Sequence, residues 1–107
     1  MLEKAQVRLS TVFTEVDMQR IWIMYFEGDD KAEIQVDLHG LSRKAAERLV
    51  NNLIALFPQS HFSLVLIHGY TRGHALKDLF NEQFAHPRVV HATPHMDNPG
   101  RTILEII

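Results

Sequence analysis

The chain has 107 residues, 46% of them apolar, with 11 Lys or Arg against 13 Asp or Glu and no cysteine. That length suits one domain able to bury its own core, and the lack of cysteine excludes disulfides and thiolate metal sites. A formal charge of −2 argues against an avid, sequence-blind DNA binder, whose affinity comes from neutralising many phosphates, and no run of roughly eighteen apolar residues is present to span a bilayer.

The charge is unevenly divided. Residues 1–36 hold 7 acids and 4 Lys or Arg, a net of −3; residues 37–107 hold 6 acids and 7 Lys or Arg, a net of +1, together with all 7 histidines. The stretch Met1–Gln6 lacks the charged-then-apolar layout of a signal peptide, which makes a cytoplasmic location the expectation.

Residues 1–20 carry a weak helical pattern, with Ser10 as a cap and Val12 and Val16 one turn apart. Residues 21–26, Ile-Trp-Ile-Met-Tyr-Phe, are dense in β-formers. Glu27–Lys31 supplies turn residues, and Ile34–Leu38 reads as a strand, so a hairpin is expected. Ser42 is placed to cap a helix whose apolar stripe runs through Ala45, Ala46, Leu49, Val50, Leu53, Ile54 and Phe57 and stops at Pro58. Phe62–Ile67 reads as a central strand buried on both faces. A second helix is expected from His74 to Phe84, a third strand over Arg88–Ala92, and a last strand over Thr102–Ile107.

Two stretches stand out within this order: Val36-Asp37-Leu38-His39-Gly40-Leu41 and Leu66-Ile67-His68-Gly69-Tyr70. Each is an apolar run ending in His-Gly and followed by a helical pattern. If the two strands are parallel neighbours, Asp37, His39 and His68 reach the same carboxyl edge, where open α/β sheets place their ligands.

Asp37-Leu38-His39-Gly40-Leu41 followed by Ile67-His68-Gly69, with the close Asn98-Pro99-Gly100-Arg101-Thr102-Ile103-Leu104-Glu105, resembles the small MutS-related (Smr) domain family, whose members belong to nucleic-acid-cleaving proteins. The resemblance covers about Ile34 to Ile107. It implies a two-layer α/β sandwich of order βαβαββ, with a mixed four-stranded sheet and helices on one face. The C-terminal domain of translation initiation factor three has the same order. The right-handedness of parallel crossovers also places both helices on one face. Residues 1–33 lie outside the resemblance and read as an N-terminal β-rich extension, a hairpin covering a sheet edge or a partner-binding arm, preceding a domain of residues 34–107.

Cleaving a phosphodiester requires an activated nucleophile, a proton for the leaving oxygen and positive charge for the developing oxyanion. The resemblance implies Asp37, His39 and His68 as the catalytic set. Imidazoles titrate near neutrality and can divide acid and base roles when RNA supplies its own 2′-hydroxyl. Asp37 could orient an imidazole, help hold a divalent ion, or cap the next helix. Gly40, Arg43, Lys44, Gly69, Tyr70, Arg72, Gly73 and Lys77 are the candidate phosphate or nucleic-acid contacts. Arg43 and Lys44 have the wrong sign for a helix start, which an anion would complete. Gly69 and Gly73 frame a loop entering a helix. Here the chain departs from the family pattern His-Gly-x-Gly, since the second glycine comes late, at Gly73.

His91 and His95 do not form a helical zinc pair, because Pro94 denies them a helix. The functional expectation is an Smr-like endonuclease on structured RNA or on branched or nicked DNA, with magnesium or manganese as the candidate cofactor. The alternative is a non-catalytic module that binds nucleic acid or the ribosome. No membrane partner is expected, and the oligomeric state is not readable.

Overall fold

Side-chain alternation decides which runs become strands and which face each buries. The computed structural model describes residues 2–27, 31–58, 61–69, 75–98 and 100–107. It contains strands β1 (Ile21–Glu27), β2 (Lys31–Asp37), β3 (Phe62–Ile67), β4 (Val89–Pro94) and β5 (Arg101–Ile106). The helices are α1 (Leu2–Val12), α2 (Glu15–Met18), α3 (Arg43–Leu56) and α4 (Ala75–Asp78), and α4 runs directly into a π-helical segment, Leu79–Gln83. The expected hairpin turn at residues 28–30 lies outside the described residues.

The strands form one mixed sheet in the order β1-β2-β3-β5-β4. β2 and β3 are parallel, whereas β1 on β2, β5 on β3 and β4 on β5 are antiparallel. The sheet therefore has five strands and not the four expected. β1 pairs with β2 from Ile21↔Val36 to Glu27↔Lys31, so part of the supposed extension is an integral edge strand. The rest of that extension is helical rather than β-rich. Leu9 in α1 and Phe13 just beyond it, one turn apart, are buried, while Val12 and Val16 are exposed. Ser10 is internal to α1, its hydroxyl donating to the Val7 carbonyl, and is not a cap.

α3 forms as the sequence dictates. Ser42 accepts from the Ala45 backbone N–H at 3.1 Å, and Ala46, Leu49, Val50, Leu53 and Ile54 are buried. α1 packs against α3 and β1, and α4 packs against α3. On the sheet, Ile34, Val36, Leu64, Leu66, Leu104 and Ile106 enter the core. The alternate residues Glu33, Gln35, Asp37, Ser63, Ile67, Arg101 and Ile103 stay partly open. Leu9, Phe13 and Ile21 belong to the same buried cluster as Leu53 and Leu64, so the amino-terminal residues complete this core. At about 25 cal/mol per Å² of apolar surface, a buried Leu or Phe contributes on the order of 2 kcal/mol.

Candidate active site

The two His-Gly turns lie side by side at the carboxyl ends of β2 and β3. The parallel register Val36↔Leu66 and Asp37↔Ile67 continues one step, with the Leu38 N–H donating to the Ile67 carbonyl at 2.7 Å. Both glycines adopt left-handed backbone, φ +81° at Gly40 and +75° at Gly69, a region that costs other residues about 1–2 kcal/mol. A Cβ at Gly40 would meet nothing within 4 Å, and at Gly69 only the His39 Cβ at 3.8 Å. Conformation, not space, requires glycine at both. The Leu41 N–H donates to the Leu38 carbonyl at 3.1 Å, closing a four-residue turn in which Gly40 occupies the position that needs positive φ.

Asp37 and His39 form a couple. The Asp37 Oδ1 accepts from the His39 backbone N–H at 3.1 Å and from His39 Nδ1. That second bond fixes the proton on Nδ1 and leaves Nε2 as the nitrogen for chemistry. The imidazole is 68% exposed and the carboxylate side chain 24%. Of the three roles open to Asp37, orienting an imidazole is the one its contacts support, since Ser42 supplies the helix cap. Arg20 secures the turn from β1's side: its Nη1 donates to the carbonyls of Asp37 at 3.0 Å and His39 at 3.1 Å.

His68 sits at the same edge but on the other face of the sheet. It is only 6% exposed. Its Nδ1 donates to the Gly69 carbonyl at 2.9 Å, and its Nε2 lies 2.8 Å from Thr102 Oγ1. Thr102 is fully buried and lies 2.5 Å from Asn81 Oδ1. The single hydroxyl hydrogen of Thr102 can serve only one neighbour. With His68 neutral it goes to Nε2, and Asn81 turns its amide nitrogen toward Thr102. With His68 charged, Nε2–H donates to Thr102 and the hydroxyl donates to Asn81 Oδ1. Burial holds the His68 pKa below its ordinary value. The Gly69 carbonyl opposes that shift, and the nearby Lys77 charge reinforces it.

The other expected residues are distributed unevenly around this edge. Arg43 donates through Nη2 to Gln83 Oε1, which ties the start of α3 to the π-helical segment. Lys44 is exposed, and Lys77 lies near His68. Tyr70, Arg72 and Gly73 lie outside the described residues. His95 follows β4 beside β5, its backbone N–H donating to the Arg101 carbonyl at 3.1 Å. Among the described residues, no group of three or more His, Asp or Glu is placed to hold a metal ion. A depression of about 570 Å³ lined by Glu33, His61, Ser63, His91 and Glu105 lies at the opposite end of the sheet from His39.

Four residues belong to this edge that were not among the expected site residues. Arg20 becomes visible only through the β1–β2 register. Thr102 and Asn81 become visible only through the burial of His68. Arg101 is level with Ile67, which is itself level with Asp37, and its Nε is buried without a hydrogen-bond partner among the described residues. Comparison with family models, with curated proteins and with solved structures finds no match to this chain.

Proposed function

We propose that the protein is a phosphodiester-cleaving endonuclease of the Smr type, acting on nucleic acid with RNA as the preferred substrate. The observation that carries this reading is the exposed Asp37–His39 couple, oriented at the carboxyl edge beside two left-handed glycine turns. Support for the Smr likeness also comes from the βαβαββ order of β2, α3, β3, α4, β4 and β5 within the sheet.

In this mechanism His39 Nε2 takes the proton of a ribose 2′-hydroxyl. The 2′-oxygen bonds to phosphorus, the bond from phosphorus to the 5′-oxygen breaks, and that oxygen leaves with the electron pair and takes a proton from solvent. Asp37 holds the imidazole in its tautomer and stabilises the imidazolium that forms. His68, buried with both ring nitrogens engaged, positions the Gly69 turn against which His39 rests and does not touch substrate. Branched or nicked DNA remains a substrate class for the assay, and magnesium or manganese a candidate cofactor.

A second reading is favoured by that same burial of His68. With one exposed histidine at this edge among the described residues, the scaffold also suits a non-catalytic module that docks on structured nucleic acid or the ribosome. End-labelled structured RNA and branched DNA, incubated with and without each metal, decide between the two. Cleavage should fall by about 10²–10⁴-fold in His39→Ala, with binding retained. Full cleavage by that variant would sink the catalytic assignment, and binding without cleavage on every substrate would leave the docking module.

A further inference from the structure

The face of the sheet that carries Asp37 also carries a row of residues suited to a second task. Trp22 pairs with Gln35 across β1 and β2, so it projects to the face shared by Gln35 and Asp37. It sits diagonally from Asp37, a spacing of roughly 7–8 Å that an aromatic ring can span. Its indole is on an edge strand and 45% exposed. On the other side of the couple, Arg101 is two strands from Asp37 in the same row, about 10 Å away at the usual strand spacing. Its Nε is buried without a hydrogen-bond partner among the described residues, while the residue as a whole is partly exposed, so a phosphate can meet the guanidinium from the solvent side. The face thus presents a flat aromatic one pair inward of the Asp–His couple and a guanidinium level with Asp37.

We propose that Trp22 and Arg101 extend the Asp37–His39 couple into a subsite for an unpaired nucleic-acid strand, with a base stacked on the indole and a backbone phosphate held by the guanidinium. The proposal rests on the endonuclease reading and names its substrate as single-stranded at the site of cleavage. Bases within a duplex are stacked on one another and cannot offer a face to an indole fixed on a sheet, whereas aromatics on a sheet commonly seat unpaired bases. Charge also sets the path. Glu33 and Glu105 lie on the same face toward the other end of the strands and would repel phosphates. The bound strand therefore runs across β1, β2, β3 and β5 along the carboxyl edge, not down the sheet.

Trp22 is the single tryptophan of the chain, so its emission reports the subsite directly. The probe is a short 2′-O-methyl oligouridylate, which has no free 2′-hydroxyl and stays intact during titration. The expected result is saturable quenching that weakens with salt, and little change with a duplex of the same length. By anisotropy of a labelled probe, Trp22→Ala should bind about 5- to 100-fold more weakly, while Trp22→Phe keeps most of the affinity. Arg101→Gln should bind more weakly and flatten the salt dependence by about one phosphate contact. Equal quenching by duplex, or unchanged affinity in Trp22→Ala, would overturn the proposal. No quenching together with His39-dependent cleavage would remove the subsite and leave the endonuclease reading intact. Neither binding nor cleavage would remove both. A concentration-dependent emission shift accompanied by self-association in sedimentation would make this face a protein interface instead.

Discussion

The turn after β2 and the turn after β3 share a local sequence, His-Gly with the glycine at positive φ, yet their histidines have opposite fates. His39 is solvent-facing and coupled to a carboxylate; His68 is buried and bonded through both ring nitrogens. The difference is one residue of phase. His68 is two residues beyond Leu66 and shares its core-facing side, whereas His39 is three beyond Val36 and falls on the open side. Because Val36 and Leu66 are level in the parallel ladder, His39 comes level with Gly69 rather than with His68. A repeated motif therefore does not make a symmetric site: strand parity leaves one histidine open to solvent and buries the other.

Substitutions at the two turns can break this comparison. The largest expected effect is kinetic: His39→Ala should lose about 10²–10⁴-fold of any cleavage while its thermal midpoint barely moves. An unfolded His39→Ala protein would show that the exposed turn is structural after all. At the buried turn the balance reverses. Thr102→Val leaves His68 Nε2 without its partner and should cost about 1–3 kcal/mol in denaturant unfolding, with the Asp37–His39 contact preserved.

Acid should report on the buried turn as well. Burial depresses the His68 pKa in the folded state, so between that value and its ordinary one the unfolded chain binds the extra proton. Stability is then fully present above about pH 6.5 and declines as pH falls through the window below it. Replacing His68 with Gln should flatten this part of the stability–pH curve, and a slope identical to that of the parent would refute the assignment. Smaller effects complete the series. Gly40→Ala, where the added Cβ has open space, should cost about 1–2 kcal/mol from backbone conformation alone. Ser42→Ala should remove about 1 kcal/mol of capping. Both are readable as shifts in chemical-denaturation midpoint.

Much of this architecture was written plainly in the chain. Ser42, the stripe from Ala46 to Ile54 and the stop at Pro58 gave α3, and the run Phe62–Ile67 gave β3 without ambiguity, because period and punctuation agreed. The amino-terminal helix was harder to read. In and after it, the exposed Val7, Val12 and Val16 compete with the buried Leu9 and Phe13, so apolar periodicity points to the wrong side. The π-helical segment was unreadable for a different reason: a single widened turn leaves no trace in an apolar pattern that continues across it. In the candidate site, Asp37 and His39 were legible from their alternation. Arg20, Arg101 and the Asn81–Thr102 partners were not, because each depends on pairing between strands or segments far apart in sequence.

The strand order has a consequence for how the molecule is made. β5, last in sequence, is inserted between β3 and β4, so neither of those strands acquires its sheet neighbour on that side until residues 101–106 have left the ribosome. During synthesis the β3 edge, rich in buried aliphatic residues, waits without a partner. A pause or truncation before Arg101 would leave an adhesive edge exposed, so β5 acts as the seal against misassociation of the nascent chain.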